Sequence, residues 1–164
     1  MTRVICAVFA FAAFAVCSCT VKPTGTFKSE EHGHSHERDK MLLADAGPYH
    51  AALTAHLSSK DGNELDVFFE TTDDPPKPAA LPITKFKAIA KTADGKEHAL
   101  EFEPAEKDER KDDPEGKCSH FVAKAGWMKP EDVLTVTATV KIDGKDTTIE
   151  WKNFSPKKYA HHED

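Results

Sequence analysis

Hydrophobic and polar residues alternate over much of the chain between residues 49 and 154. The clearest stretch is Val133 to Ile142, where every second position from Leu134 onward is apolar and the positions between are Thr or Lys. A period of two places successive side chains on opposite faces of an extended strand. The same alternation predicts six further strands, at residues 49–57, 64–71, 83–92, 96–103, 118–125 and 146–154.

Turn signals lie between these stretches. Asp-Gly pairs, typical of tight turns between strands, occur at 61–62, 94–95 and 143–144. The segment 73–78 contains three prolines, which a sheet interior does not accommodate, and it predicts a connection between sheets. Residues 104–117 form a highly charged loop.

We therefore predict an all-β fold, an antiparallel two-sheet immunoglobulin-like sandwich of about seven strands. A half-open barrel is the alternative. The chain has no Cys-Trp-Cys signature, so an antibody-type topology is not implied.

The first twenty residues follow a different pattern. An unbroken apolar run of 13 residues, Val4 to Val16, comes after Arg3 and is followed by small residues. This is the pattern of a secretory signal, and the run is shorter than the about 20 residues that a membrane-spanning helix needs. The stretch 16–19, Val-Cys-Ser-Cys, resembles a bacterial lipobox, and Ser18 favours Cys19 over Cys17 as the lipidated residue. We expect a lipid-anchored protein that faces the periplasm.

Four segments follow from these patterns. Residues 1–18 are predicted to be a lipoprotein signal peptide, 19–47 a flexible His-rich tether, 48–156 the β-sandwich domain, and 157–164 a disordered His/acidic tail. Within the tether, Asp39 to Asp45 is expected to form at most one helical turn.

Charge and motifs exclude several functions. The net charge is −6 and no basic block stands out, which argues against nucleic-acid binding. The sequence has no phosphate-binding glycine loop, HExxH, GxSxG or CxxC motif, so neither an enzyme nor an organic cofactor is expected. Loss of the signal would leave Cys19 and Cys118, and no intramolecular disulfide is predicted.

Histidines provide the most distinctive local feature. His32, His34 and His36 alternate within the tether, and His161 and His162 lie in the C-terminal tail. Imidazole is the commonest protein ligand of zinc and copper, and a flexible HxHxH segment can direct three nitrogens at one ion. We expect weak, exchangeable binding of copper or zinc; the alternative is a solvated, pH-responsive spacer.

Histidines of the predicted domain carry weaker indications. His50 and His56 are expected to be surface residues of one strand, and His98 shares the parity of its core positions. Cys118 and His120, two residues apart, are an alternative pair of ligands for a soft metal if a third group approaches. An inert buried cysteine is the simpler interpretation.

A His-rich tether after a lipobox, joined to a small strand-rich domain, resembles the small envelope lipoproteins found beside heavy-metal efflux systems. The resemblance rests on His32, His34 and His36, on Gly47-Pro48-Tyr49-His50, and on Asp113-Pro114-Glu115-Gly116-Lys117. It implies an envelope lipoprotein that buffers or hands over copper or zinc, with efflux components or other envelope proteins as partners. The alternative is a non-catalytic interaction module of the cell envelope in which the histidines are incidental.

Overall fold

A computed structural model describes residues 39–163, the last three by their backbone alone. Within this range no helix is long and apolar enough to cross a membrane. The described chain forms nine strands: β1 (Leu42–Ala46), β2 (Tyr49–Leu57), β3 (Glu64–Thr71), β4 (Phe86–Thr92), β5 (Glu97–Pro104), β6 (His120–Lys124), β7 (Leu134–Ile142), β8 (Lys145–Phe154) and β9 (Ala160–Glu163).

Eight of the strands form one hydrogen-bonded path in the order β1-β2-β3-β6-β5-β4-β7-β8, and every neighbouring pair is antiparallel. Strand β5 turns the corner of this path. It pairs with β4 through residues 97–102, whereas its last two residues, Glu103 and Pro104, pair with β6. The path therefore consists of a first sheet, β1-β2-β3-β6, and a second sheet, β5-β4-β7-β8, joined at that corner.

The two sheets enclose an aromatic core. Phe69 and Phe121 of the first sheet meet Phe86 of the second, with ring centroids 5.3–6.1 Å apart. At the other end of the path, the buried Trp151 of β8 donates its indole N–H to the carbonyl of Ala51 in β2, at 2.9 Å. Because both ends of the path contribute to one core, the sheet is nearly closed, and the all-β antiparallel prediction is confirmed.

All seven predicted strands are present, with small differences at their ends. The hairpin between β7 and β8 turns at Asp143 (φ 49°) and Gly144 (φ 79°), the pair of left-handed residues that a tight two-residue hairpin requires. Counted from β2, the strands follow the order of an immunoglobulin constant-type domain, with β2-β3-β6-β5 on one side and β4-β7-β8 on the other. Strand β1 is an addition at the edge of β2, and β5 also pairs with β4.

The structure differs from the sequence predictions at both ends of the sheet. Residues Leu42–Ala46, placed in the tether with a helical turn, form strand β1 instead. The chain reverses at Gly47 (φ 68°), pairs β1 with Tyr49–Leu53, and buries Ala46 completely. Three consecutive residues of this short strand, Leu42-Leu43-Ala44, are apolar, which hides its alternation.

The C-terminal strand β9 was not predicted and falls within the proposed tail. It pairs in parallel with β2 through Ala55↔Ala160 and Leu57↔Glu163. Since β1 covers this edge of β2 only as far as Leu53, residues 55–57 are left for β9 to cover. The folded sheet therefore begins before Pro48 and continues beyond residue 156.

Candidate functional site

Histidines and carboxylates share the face of the first sheet that points away from the core, called here the outer face. Strand alternation produces it, since Ala51, Leu53, Val67, Phe69 and Phe121 enter the core and the residues between them point outward. The outer face carries His50 and His56 from β2, Glu64, Asp66, Phe68 and Glu70 from β3, and His120 from β6.

His120 is the most constrained histidine of this face. Its Nε2 lies 2.9 Å from Asp66 Oδ1, and its ring stacks on Phe68 with centroids 4.0 Å apart. A carboxylate accepts hydrogen bonds, so this contact places the proton of the neutral ring on Nε2 and leaves a lone pair on Nδ1. Nδ1 is buried and has no hydrogen-bond partner among the described residues. The imidazole thus ties β6 to β3 and is closed to an ion from solvent.

The other two histidines of the outer face lie beside carboxylates of neighbouring strands. His50 is opposite Asp45 of β1 and Glu70 of β3. His56 is opposite Glu64, which forms an ion pair with Lys124. Six residues of strand separate the two imidazoles by about 20 Å, so they cannot share one ion.

The predicted Cys118–His120 ligand pair is not assembled. Cys118 precedes β6 and belongs to the core, 2 % exposed, whereas the imidazole of His120 lies on the outer face. The thiol donates a hydrogen bond to the backbone carbonyl of His120 at 2.9 Å. Burial raises the pKa of the Cys118 thiol, which disfavours the thiolate that a metal requires.

His98 occupies the predicted inward parity of β5 but is only half buried. Its ring stacks on Trp127 with centroids 3.7 Å apart and an interplanar angle of 10°. His98 belongs to β5 of the second sheet, and Trp127 lies in the turn after β6. Across the part of the chain with described side chains, no group of three or more His, Cys, Asp or Glu is arranged to hold a metal ion.

The remaining candidate residues lie at the two ends of the chain. His32, His34, His36 and Cys19 fall outside the described residues. The backbone of His161 and His162 lies in β9, alongside the segment of β2 that contains His56. Leu42, where the chain enters the sheet, is opposite Leu53, three residues before His56.

Comparisons of the chain with protein-family models, curated proteins and solved structures found no match.

Sequence reasoning missed the His120–Asp66 contact and the position of β9. Asp66 alternates with core residues in β3, and His120 does so in β6, so each was identifiable as an outward residue. Their pairing depends on the register of two strands whose contacting residues are 54 positions apart, which no local pattern specifies. For β9 the only signal was Tyr159-Ala160, two apolar residues before the histidine pair.

Proposed function

We propose that this protein binds a transition metal ion, copper or zinc, through its terminal histidines, and that it buffers or hands over the ion in the bacterial cell envelope. His32, His34 and His36 of the tether are the principal ligands in this proposal, and His161 and His162 contribute to the same site.

The observation that supports this proposal is the pairing of β9 with β2. It brings the backbone of the C-terminal histidine pair to the edge of β2, close to the point where the N-terminal segment joins the sheet at Leu42. His36 precedes Leu42 by six residues, which span at most about 20 Å when extended. The two histidine clusters, far apart in sequence, are therefore within reach of each other.

The chemistry of the ligands favours an exchangeable site. Imidazole binds copper and zinc through a neutral nitrogen, so protons compete with the metal below the histidine pKa of about 6.5. A site formed by a segment that must be ordered on binding is weaker than a preformed one. Such a site suits transfer of the ion to a partner.

The test is calorimetric titration of the protein with Cu²⁺ and with Zn²⁺. We expect replacement of His32, His34 and His36 by Ala to weaken the tightest binding at least tenfold, and replacement of His161 and His162 to have a smaller effect. Affinity in the parent should fall steeply between about pH 7 and 5. The thermal transition of the metal-free protein should be the same in the parent and in the variant that lacks His32, His34 and His36.

His98→Ala is the matched control, because this imidazole is stacked on Trp127 within the domain. It should leave metal affinity unchanged. Parent-like affinity in the triple variant contradicts the proposal. If the binding that remains is then abolished by Cys118→Ser with His120→Ala, the site lies within the domain instead.

We also propose that the protein is attached to the membrane by acyl chains on Cys19, with the domain facing the periplasm. The apolar run before Ser18-Cys19 supports this attachment. Mass spectrometry of the expressed protein should detect an acylated fragment that begins at Cys19. An unmodified mature terminus at another residue would contradict it.

A further inference from the structure

A cavity of about 500 Å³ lies under the charged loop that connects β5 to β6, residues 105–117. The cavity is also lined by Ile83 and Thr84, which lead into β4, and by Pro104 at the end of β5. We call this space the Arg110 cavity. It has no part in the metal proposal and lies on different residues from it.

The floor of the Arg110 cavity is apolar. Ile83 and Cys118 are both core residues, 9 % and 2 % exposed, and both line the cavity. Pro104 and Pro114 extend this surface toward the rim. A hydrocarbon group placed here would be removed from water, which favours binding.

The rim of the cavity is cationic, although the whole chain has a net charge of −6. Four cations line it: Lys107, Arg110, Lys111 and Lys117. Among the described residues, none of the four has an ion-pair partner within 4 Å.

Two carboxylates line the cavity, Asp113 and Glu115, whereas Glu106, Asp108, Glu109 and Asp112 of the same loop do not line it. Asp113 is already engaged, since its two oxygens accept from the backbone N–H and the hydroxyl of Ser119, each at 2.7 Å. The lining therefore carries four cations against two carboxylates, of which only Glu115 is without a described hydrogen bond.

The guanidinium of Arg110 is held in place before any ligand arrives. Its Nε donates to the backbone carbonyl of Ala105 at 2.7 Å. Two turns shape the loop around it, with Asp113 N donating to Arg110 O and Lys117 N donating to Pro114 O, both at 3.0 Å. The terminal nitrogens of Arg110 have no described protein partner. They remain available as the planar pair of donors that matches a carboxylate.

We propose that the Arg110 cavity binds a small organic anion, namely a carboxylate carried on an apolar group. The guanidinium holds the carboxylate, the lysines of the rim add attraction, and the floor of Ile83 and Cys118 receives the hydrocarbon. The volume is within the range of about 300–1,000 Å³ that is usual for small-molecule sites.

The test uses two probes, the fluorescent anion anilinonaphthalene sulfonate and octanoate. We expect octanoate to displace the fluorophore. Arg110→Gln should weaken binding of both probes about tenfold or more, because a charge-assisted hydrogen bond is lost. Circular dichroism and the thermal transition establish that the variant is folded.

A second variant keeps the charge of Arg110 and fills the volume of the cavity. Thr84 is an exposed residue of the cavity wall, and Thr84→Trp should fill the cavity and abolish octanoate binding while the fold is retained. Lys141→Gln, at an exposed position of β7, is the control for loss of one cation and should bind like the parent.

Three results would overturn the inference. Octanoate failing to displace the fluorophore excludes the site, and so does parent-like affinity in both Arg110→Gln and Thr84→Trp. The third result is that inorganic phosphate displaces the fluorophore as effectively as octanoate does. It would show that the apolar floor takes no part in binding.

Discussion

Two buried residues at the start of β6, Cys118 and His120, make different contacts. The Cys118 thiol is in the core and donates to a backbone carbonyl, whereas the His120 imidazole on the outer face is held by Asp66 and Phe68. The residues are two apart in sequence, yet their side chains lie on opposite sides of the sheet. Both side chains therefore make contacts within the fold, and they do not form a shared metal site.

The raised pKa of Cys118 predicts how stability depends on pH. The folded protein holds the thiol proton more tightly than the unfolded chain does, because burial disfavours the thiolate. The stabilising contribution is therefore complete below the thiol pKa of the unfolded chain, about 8.5, and declines as the pH rises above it. Urea unfolding between pH 7 and 10 should show a steeper loss of stability in the parent than in Cys118→Ala.

Other groups that titrate in this range are common to both proteins, so the difference between the two curves isolates the thiol. Parallel curves for the parent and Cys118→Ala would contradict the prediction.

At the scale of elements, one edge of β2 is covered by two separate strands. β1 pairs with residues 49–53 and β9 with residues 55–57, so segments from opposite ends of the described chain complete the same edge. Neither strand was predicted, because each is short and only weakly alternating. Their conformation is set by the open edge of β2, which is a property of the assembled sheet.

The longer strands were predictable from sequence because each carries its own signal. In β7 the buried positions from Leu134 to Ile142 alternate with Thr and Lys over nine residues, and Asp143-Gly144 fixes the turn that follows. The order of strands was not predictable in the same way. The corner at β5, for example, depends on Glu103 and Pro104 pairing with a strand that begins 16 residues later.

Substitutions at two adjacent residues of β1 test whether this strand belongs to the stable sheet. Ala46 is completely buried, whereas Asp45 is exposed on the outer face. Ala46→Asp should lower the free energy of unfolding by more than about 3 kcal/mol, because it buries an unpaired charge. Asp45→Ala should change it by less than about 0.5 kcal/mol. Chemical denaturation of the two variants provides the measurement, and equal small effects would mean that β1 is not part of the stable sheet.

At the largest scale, contacts between the two sheets hold together the part of the chain that the structure describes. The trio Phe69, Phe86 and Phe121 connects them near the corner, and the Trp151–Ala51 hydrogen bond connects them where the path nearly closes. Because both contacts belong to one core, the sheets should unfold together in a single transition.

The two tryptophans of the chain provide a test at this scale. Trp151→Phe removes the donor to the buried carbonyl of Ala51 and leaves a small void, and it should cost about 2–4 kcal/mol. Trp127→Phe, at the half-buried stack on His98, is the control and should cost less than about 1 kcal/mol. Each variant retains one tryptophan as a fluorescent reporter. Different denaturation midpoints for fluorescence and circular dichroism within one variant would show that the sheets unfold separately.

The parallel pairing of β9 with β2 also has a consequence for synthesis. Thr54 donates its hydroxyl to the carbonyl of Tyr159, a contact between residues 105 positions apart. At about 5–20 residues per second, the ribosome needs roughly 5–20 s to make the intervening chain. Throughout that interval β2 presents unpaired backbone groups at residues 55–57, and an open strand edge is a template for association with other chains. Closure of this edge of β2 therefore waits until strand β9 has been made.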